Sequence, residues 1–215
     1  MPPIENLIAF TLAALVLNIS PGPSNMYVMA RSISQGVRGG VAAALGMSTG
    51  SLLAVIATAA GISVVFQQSP LLYTLIKLAG ACYLVYLGVG YWRAGPVEMG
   101  QARPSPPKPL GRIYKESILV EITNPKMALF FLAFLPQFVV PEAGPVWSQL
   151  LVLGLIVTVS ALPCDLVVAY GSSRVAQWLI RHEKAQIIQE RVSGSILLLL
   201  GSGMLAEEAR RLAGP

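Results

Sequence analysis

Against an ordinary soluble protein, this sequence is short of charge. Asp, Glu, Lys and Arg make up 12% of its 215 residues, where a soluble domain of that length carries roughly 25%. A surface so poor in charge faces lipid rather than water. Cysteine and histidine are scarcer still. Cys82 and Cys164 stand in separate apolar stretches, which excludes a disulfide framework or a CxxC site and reads as two small buried hydrophobes. The one histidine, His182, lies between Arg181 and Glu183. That setting suits a solvated side chain better than a proton relay. No cluster of His, Cys and acidic residues offers a metal site, no HExxH occurs, and neither an enzyme nor a bound cofactor is expected. The formal net charge is +5, but the basic residues do not gather on one amphipathic face. They fill the gaps between apolar runs, so no nucleic-acid partner is expected. The apolar N-terminal run has only Glu5 near Met1. Without a positive n-region and a small-residue cleavage site, it reads as a retained segment rather than a signal peptide.

What the chain does have is length in its hydrophobic runs. Crossing the hydrocarbon takes about 20 apolar residues, and six stretches reach or approach that: Ile4–Ala30, Gly40–Phe66, Leu71–Trp92, Ile113–Val140, Val146–Gly171 and Val192–Leu205. The last is the shortest and extends back only by bringing Glu190 and Arg191 to the membrane edge. Pro70, Pro141 and Pro145 punctuate two tight connections. Arg93–Arg112 is rich in Pro, Gly and charge and reads as a solvated linker. Ser172–Arg191 reads as a short amphipathic surface helix. The first connection carries Arg31 and Arg38. The third carries Arg93, Arg103, Lys108 and Arg112, with Lys115 at its edge. The fifth carries Arg174, Arg181, Lys184 and Arg191. The second and fourth carry no Lys or Arg. The positive-inside rule then makes the odd-numbered connections cytoplasmic and places both termini on the outer side.

The six stretches read as three plus three. "NISPGP" (Asn18–Pro23) parallels "EITNPK" (Glu121–Lys126), with Ile19 over Ile122 and Ser20 over Thr123. "YLVYLGVGYW" (Tyr83–Trp92) parallels "ILLLLGSGML" (Ile196–Leu205), with Gly88 and Gly90 over Gly201 and Gly203. Copies of an odd number of spans lie in opposite orientation. The expected fold is an all-α membrane protein of six helices in two inverted three-helix repeats, with helices one and four broken by proline. Repeat one covers about 4–93, a cytoplasmic linker about 94–112, and repeat two about 113–206.

The "SPGP" break, "KLAGACYLVYLG" (Lys77–Gly88) and "ITNPKMALFFLAFLPQF" (Ile122–Phe138), in that order, resemble the LysE/RhtB family of amino-acid exporters, over essentially the whole chain. The resemblance implies a bacterial inner-membrane exporter of amino acids, of the homoserine, threonine or leucine efflux type, driven by protons. It also implies a wider group of six-helix exporters that includes metal-ion carriers, which leaves divalent-metal export as the alternative.

The breaks have a chemical meaning of their own. Pro21, Pro23 and Pro125 deprive the carbonyls of Leu17, Ile19 and Glu121 of their helical partners. The half-helices that restart beyond them aim N–H groups of Ser24, Asn25 and Met26, or of Lys126 and Met127, into the gap, an end suited to a carboxylate. The expected substrate-binding residues are Asn18, Ser20, Pro21, Gly22, Pro23, Ser24, Asn25, Asn124, Pro125 and Lys126. Lys126 either binds the substrate carboxylate or neutralises an acid. Asp165, with Glu121 second, is the expected ammonium ligand or proton carrier, since acids inside a membrane segment are costly and mark function. Lys77 reads as a structural cation within snorkelling reach. Phe130, Phe131 and Phe134 read as core or lipid-facing rather than as pocket walls. Gly46 and Gly50 read as a helix-packing face, and the glycine faces allow a homodimer without requiring one.

Overall fold

The computed structural model describes residues 2–19, 22–93, 107–171 and 183–213. Among them there is no strand. The helices are α1 (Ile4–Ile19), α2 (Pro23–Gln68), α3 (Pro70–Arg93), α4 (Leu110–Ile122), α5 (Pro125–Ala133), α6 (Val146–Gly171) and α7 (Glu183–Ala213), with short 3-10 turns at Leu135–Phe138 and Pro141–Ala143 between α5 and α6.

Three helix starts follow from their first residues. Pro23, Pro70 and Pro125 each open a helix, where a missing N–H costs nothing. Ser69 turns its hydroxyl to the Leu72 N–H at 3.2 Å, and the Asn124 side chain caps α5 by accepting from the Lys126 N–H at 3.0 Å, as N-caps do. The loop before α6 is held by a single buried side chain: Gln149 accepts from the Val140 N–H and donates to the carbonyls of Val140 and Gly144.

The 46 residues of α2 are not one rod. Gly36 has φ 71° and ψ −172°, a backbone conformation open to glycine almost alone. A Cβ on Gly39 would lie 2.9 Å from the Arg31 carbonyl oxygen, and one on Gly40 would collide with the Ser32 hydroxyl. Residues eight apart are about 12 Å apart along a straight helix, so α2 folds back at Gly36 into a first limb (residues 23–35) and a second (37–68). This corrects the expectation of a connection between Ala30 and Gly40: one glycine makes the whole turn. The surface helix expected over Ser172–Arg191 is also revised. From Glu183 onward that stretch is the start of α7; residues 172–182, with His182, and most of the Arg93–Arg112 linker lie outside the described residues.

The outside of the molecule is apolar. Leu199, Leu71, Tyr86, Val159, Ile4 and Val167 are each more than 60% exposed, while Glu121, Asn124, Gln149 and Asp165 are buried. Among the described residues, four helices are long and apolar enough to cross a membrane: Pro23–Gln68, Thr74–Arg93, Val146–Gly171 and Arg191–Arg210. Leu110–Ile122 with Lys126–Phe138, bent by 50°, adds a fifth if it is one span. This is a multi-pass membrane protein.

Inside, the helices pair by close approach at small residues. The second limb of α2 lies on α6, with Gly154 against Val55, Gly40 against Ala169 and Ser51 hydrogen-bonded to Thr158 at 2.9 Å. Gly46 and Gly50 receive Tyr114, Ser117, Ile118 and Glu121 of α4. Gly88 packs on Gly194 and Leu198, and Gly201 on Ala81 and Val85, joining α3 to α7. "GMSTG" (Gly46–Gly50) also spells G-x-S-x-G, but it sits mid-helix with both glycines filled by α4. A nucleophile elbow needs a strand-to-helix turn.

Candidate functional site

The two chain breaks meet. α1 ends at Ile19 and α2 starts at Pro23; α4 ends at Ile122 and α5 starts at Pro125. From the second break, Lys126 reaches across to the first. Its Nζ donates to the Leu17 carbonyl at 3.1 Å, and its side chain lies where a Cβ on Gly22 would come within 3.3 Å of Cδ. Gly22 thus leaves room for that lysine. Asn124 donates to the Ser24 hydroxyl at 2.8 Å, and Ser24 in turn donates to Glu121 Oε2. The Asn25 amide donates to the Asn18 carbonyl at 3.1 Å. The Asn18 amide donates to the Val157 carbonyl at 3.2 Å and the Ser160 hydroxyl at 3.0 Å, tying the end of α1 to α6.

These groups enclose a small cavity of about 30 Å³, lined by Asn18, Gly22, Ser24, Asn25, Asn124 and Lys126, by the acids Glu121 and Asp165, and by Leu17, Met127 and Ala161. That is room for about one or two waters, at roughly 10–15 Å³ each. As it stands the site is closed around its own polar side chains, and an amino acid enters only if the walls part.

Two different seams do the closing. On one side, the first limb of α2 runs against α4 as a polar ladder. Ser24 meets Glu121, the Tyr27 hydroxyl donates to Glu116 Oε2 at 3.0 Å, and the Gln35 amide exchanges two hydrogen bonds with the Lys108 backbone, at 2.7 and 2.9 Å. Glu116 is the hub: Lys108 Nζ donates to both its oxygens, at 2.9 and 2.7 Å, and Arg112 Nε donates to Oε1 at 3.0 Å. On the other side, Phe10 of α1 is stacked on Phe134 (centroids 5.5 Å) and lies edge-on to Phe138 (5.1 Å), with Phe130 on Phe134 at 4.5 Å. This seam is dry.

Residues 15–208 match the family model described as LysE type translocator. The chain belongs to the LysE type translocator family. Among curated relatives, a homoserine/homoserine lactone efflux protein of Salmonella typhimurium is 34% identical over 199 residues, covering 90% of this chain and 93% of that protein. An uncharacterized membrane protein of Vibrio cholerae is 31% identical over 206 residues, covering 94% of this chain and 97% of that protein. A leucine efflux protein of Salmonella choleraesuis is 31% identical over 136 residues, covering 63% of this chain and 64% of that protein. No solved structure matches.

In this LysE type translocator the structure gathers Asn18, Gly22, Ser24, Asn25, Asn124, Lys126, Glu121 and Asp165 around one cavity. Pro23 and Pro125 open α2 and α5 beside it. Ser20 and Pro21 lie outside the described residues. The peptide groups expected to be bare are mostly covered. The Leu17 carbonyl takes Lys126, and the Glu121 carbonyl takes the Asn124 N–H at 3.1 Å. The Met26 N–H returns to the Gly22 carbonyl at 2.9 Å, and the Lys126 N–H is capped by Asn124. At membrane depth exposed peptide groups are too costly to leave open, so nearby amides and the lysine fill them. Phe130, Phe131 and Phe134 are core, not pocket wall. Lys77 pairs with Glu208 at 3.7 Å, joining α3 to α7. Sequence reasoning put the Leu17 carbonyl and the Met127 N–H at the gap but missed Ala161; Ala161 lies one helical turn before Asp165 and was legible from that spacing alone.

Proposed function

We propose that the protein exports small amino acids of the homoserine and leucine type across the bacterial inner membrane, in exchange for protons. The observation that carries this reading is the single cavity where a lysine, two buried carboxylates and two cut helix ends converge. A zwitterion needs both signs of partner within a few ångströms: Lys126 and the α2 start for its carboxylate, Asp165 or Glu121 for its ammonium. The names of the efflux relatives agree with that chemistry. An acid that releases a proton to take an ammonium, and regains one to let it go, couples efflux to proton entry.

The reading takes six spans in two inverted repeats. α1 with the first limb of α2 forms one broken span and α4 with α5 its counterpart; the second limb of α2 corresponds to α6, and α3 to α7. Support comes from the contacts: each of these three pairs runs antiparallel. Ser24 is level with Glu121 and Gln35 with Lys108; Gly40 with Ala169 and Val55 with Gly154; Gly88 with Gly194 and Ala81 with Gly201. Transport is then a rocking of the two halves about the cavity, with the polar ladder facing the cytoplasm and the phenylalanine seam facing out. Among the described residues no three His, Cys, Asp or Glu form a metal-sized group, and nothing favours the metal alternative.

Proteoliposomes loaded with labelled homoserine, homoserine lactone or leucine test the reading. Efflux is expected to quicken when the outside is made acidic. Retention of every neutral and basic amino acid tried would rule it out.

A further inference from the structure

Arg31 is a cation that the closed ladder satisfies only in part. The residue is only 6% exposed, yet its Nε and Nη1 have no hydrogen-bond partner among the described residues. Its Nη2 lies 3.9 Å from Glu116 Oε2, beyond hydrogen-bond reach, and the guanidinium rests 5.1 Å over the Tyr27 ring. Burying a guanidinium with donors idle is costly. The fork has a natural complement in a carboxylate, which it binds with two parallel hydrogen bonds. Beside it, Lys108 and Arg112 converge on Glu116 as well. Three cations thus surround one acid at the mouth of the ladder, two α-helical turns (about 10 Å) from Ser24 and the cavity.

We propose that Arg31 and Lys108 form an access site for the α-carboxylate of the exported solute, and that Glu116 holds the carboxylate's place while the mouth is closed. The inference rests on the cavity being an amino-acid site. An arriving carboxylate takes the idle fork of Arg31 and competes with Glu116 for Lys108. Tyr27 then loses its acceptor, and of the polar ladder along the first limb of α2 only Ser24–Glu121 and Gln35–Lys108 remain. The solute itself loosens the closure it must pass, which favours carboxylate-bearing solutes over equally small cations.

Everted membrane vesicles, whose cytoplasmic face is outward, allow uptake of homoserine to be compared with uptake of its lactone, which has no free carboxylate. Arg31→Gln is expected to raise KM for homoserine about tenfold, the loss of one charge-assisted pair, with kcat and the lactone's KM little changed. Arg31→Lys recovers part of the loss, and Glu116→Gln lowers the homoserine KM. Equal effects of Arg31→Gln on both solutes would overturn the access site while leaving export intact. If the wild-type vesicles take up neither solute, the export reading fails, and the access site is judged on purified protein in detergent. There, acetate is expected to raise the Tm of Glu116→Gln more than chloride at equal ionic strength, and to lose that advantage when Arg31→Gln is added. No acetate advantage, or one that survives Arg31→Gln, overturns the proposal.

Discussion

Lys126 is the cation, and Glu121 and Asp165 the acids, among the described residues that line the cavity. An isolated charge removed from water costs several kcal/mol, and the cost returns when its partner is deleted. Lys126→Met leaves the two carboxylates without a cation in the cavity and takes the donor from the Leu17 carbonyl. It is expected to lower stability by about 3–5 kcal/mol, read as a fall in Tm in detergent. Lys126→Arg keeps the charge and most of that stability, but its broad fork does not fit beside Gly22, so efflux falls while Tm holds. Asp165→Asn asks a different question. The amide has the shape of the protonated acid and no proton to release. A proton carrier so changed is expected to lose efflux driven by a pH gradient and to keep exchange of labelled for unlabelled amino acid across the membrane. Loss of both would make Asp165 a substrate ligand only, and retention of gradient-driven efflux would pass the coupling role to Glu121.

At the scale of the helix, legibility followed the kind of signal. The start of the helix at Val146 was read to the residue, because Pro145 fixes where it opens. The grouping was legible in part for a related reason: charges and amides beside prolines in greasy segments stand out, and seven such polar residues, with Gly22, line one cavity. The turn at Gly36 was not legible. "SQGVRGG" offers three glycines within five residues, and composition does not say which takes a positive φ while the flanking residues stay helical. Nor did the sequence show that side chains from one break cover the peptide groups of the other, since that depends on how two segments some 100 residues apart are set against each other. The hairpin carries its own prediction. Gly36→Ala forces a Cβ into a conformation that costs of order 1–3 kcal/mol and is expected to lower Tm. Gly90→Ala, in mid-helix where a Cβ meets nothing within 4 Å, is expected to be neutral or to stabilise by roughly 0.5–1 kcal/mol. Equal effects from the two would mean that Gly36 is not the hinge.

Across the whole molecule, the three antiparallel pairs and the distribution of basic residues make one joint statement. If α1–α2, α2 and α3 answer to α4–α5, α6 and α7, the number of crossings is even and both ends of the chain emerge on one face. Arg31, Lys108 and Arg112 cluster around Glu116, away from the phenylalanine seam, and on the proposed six-span reading the positive-inside rule is expected to put that end in the cytoplasm and the termini outside. Five crossings, with the bent α4–α5 pair as one span and α1 lying outside the membrane, would instead put the termini on opposite faces. Short epitope tags fused at each end, probed with protease on intact spheroplasts and again on everted vesicles, separate the two. Cleavage of both tags in spheroplasts and protection of both in everted vesicles is the expected pattern. A tag at one end alone being cleaved in spheroplasts would break the symmetry on which the central cavity depends. It would leave α1 without a partner in the opposite half, and the Lys126–Leu17 contact as a lone bridge rather than half of a paired site.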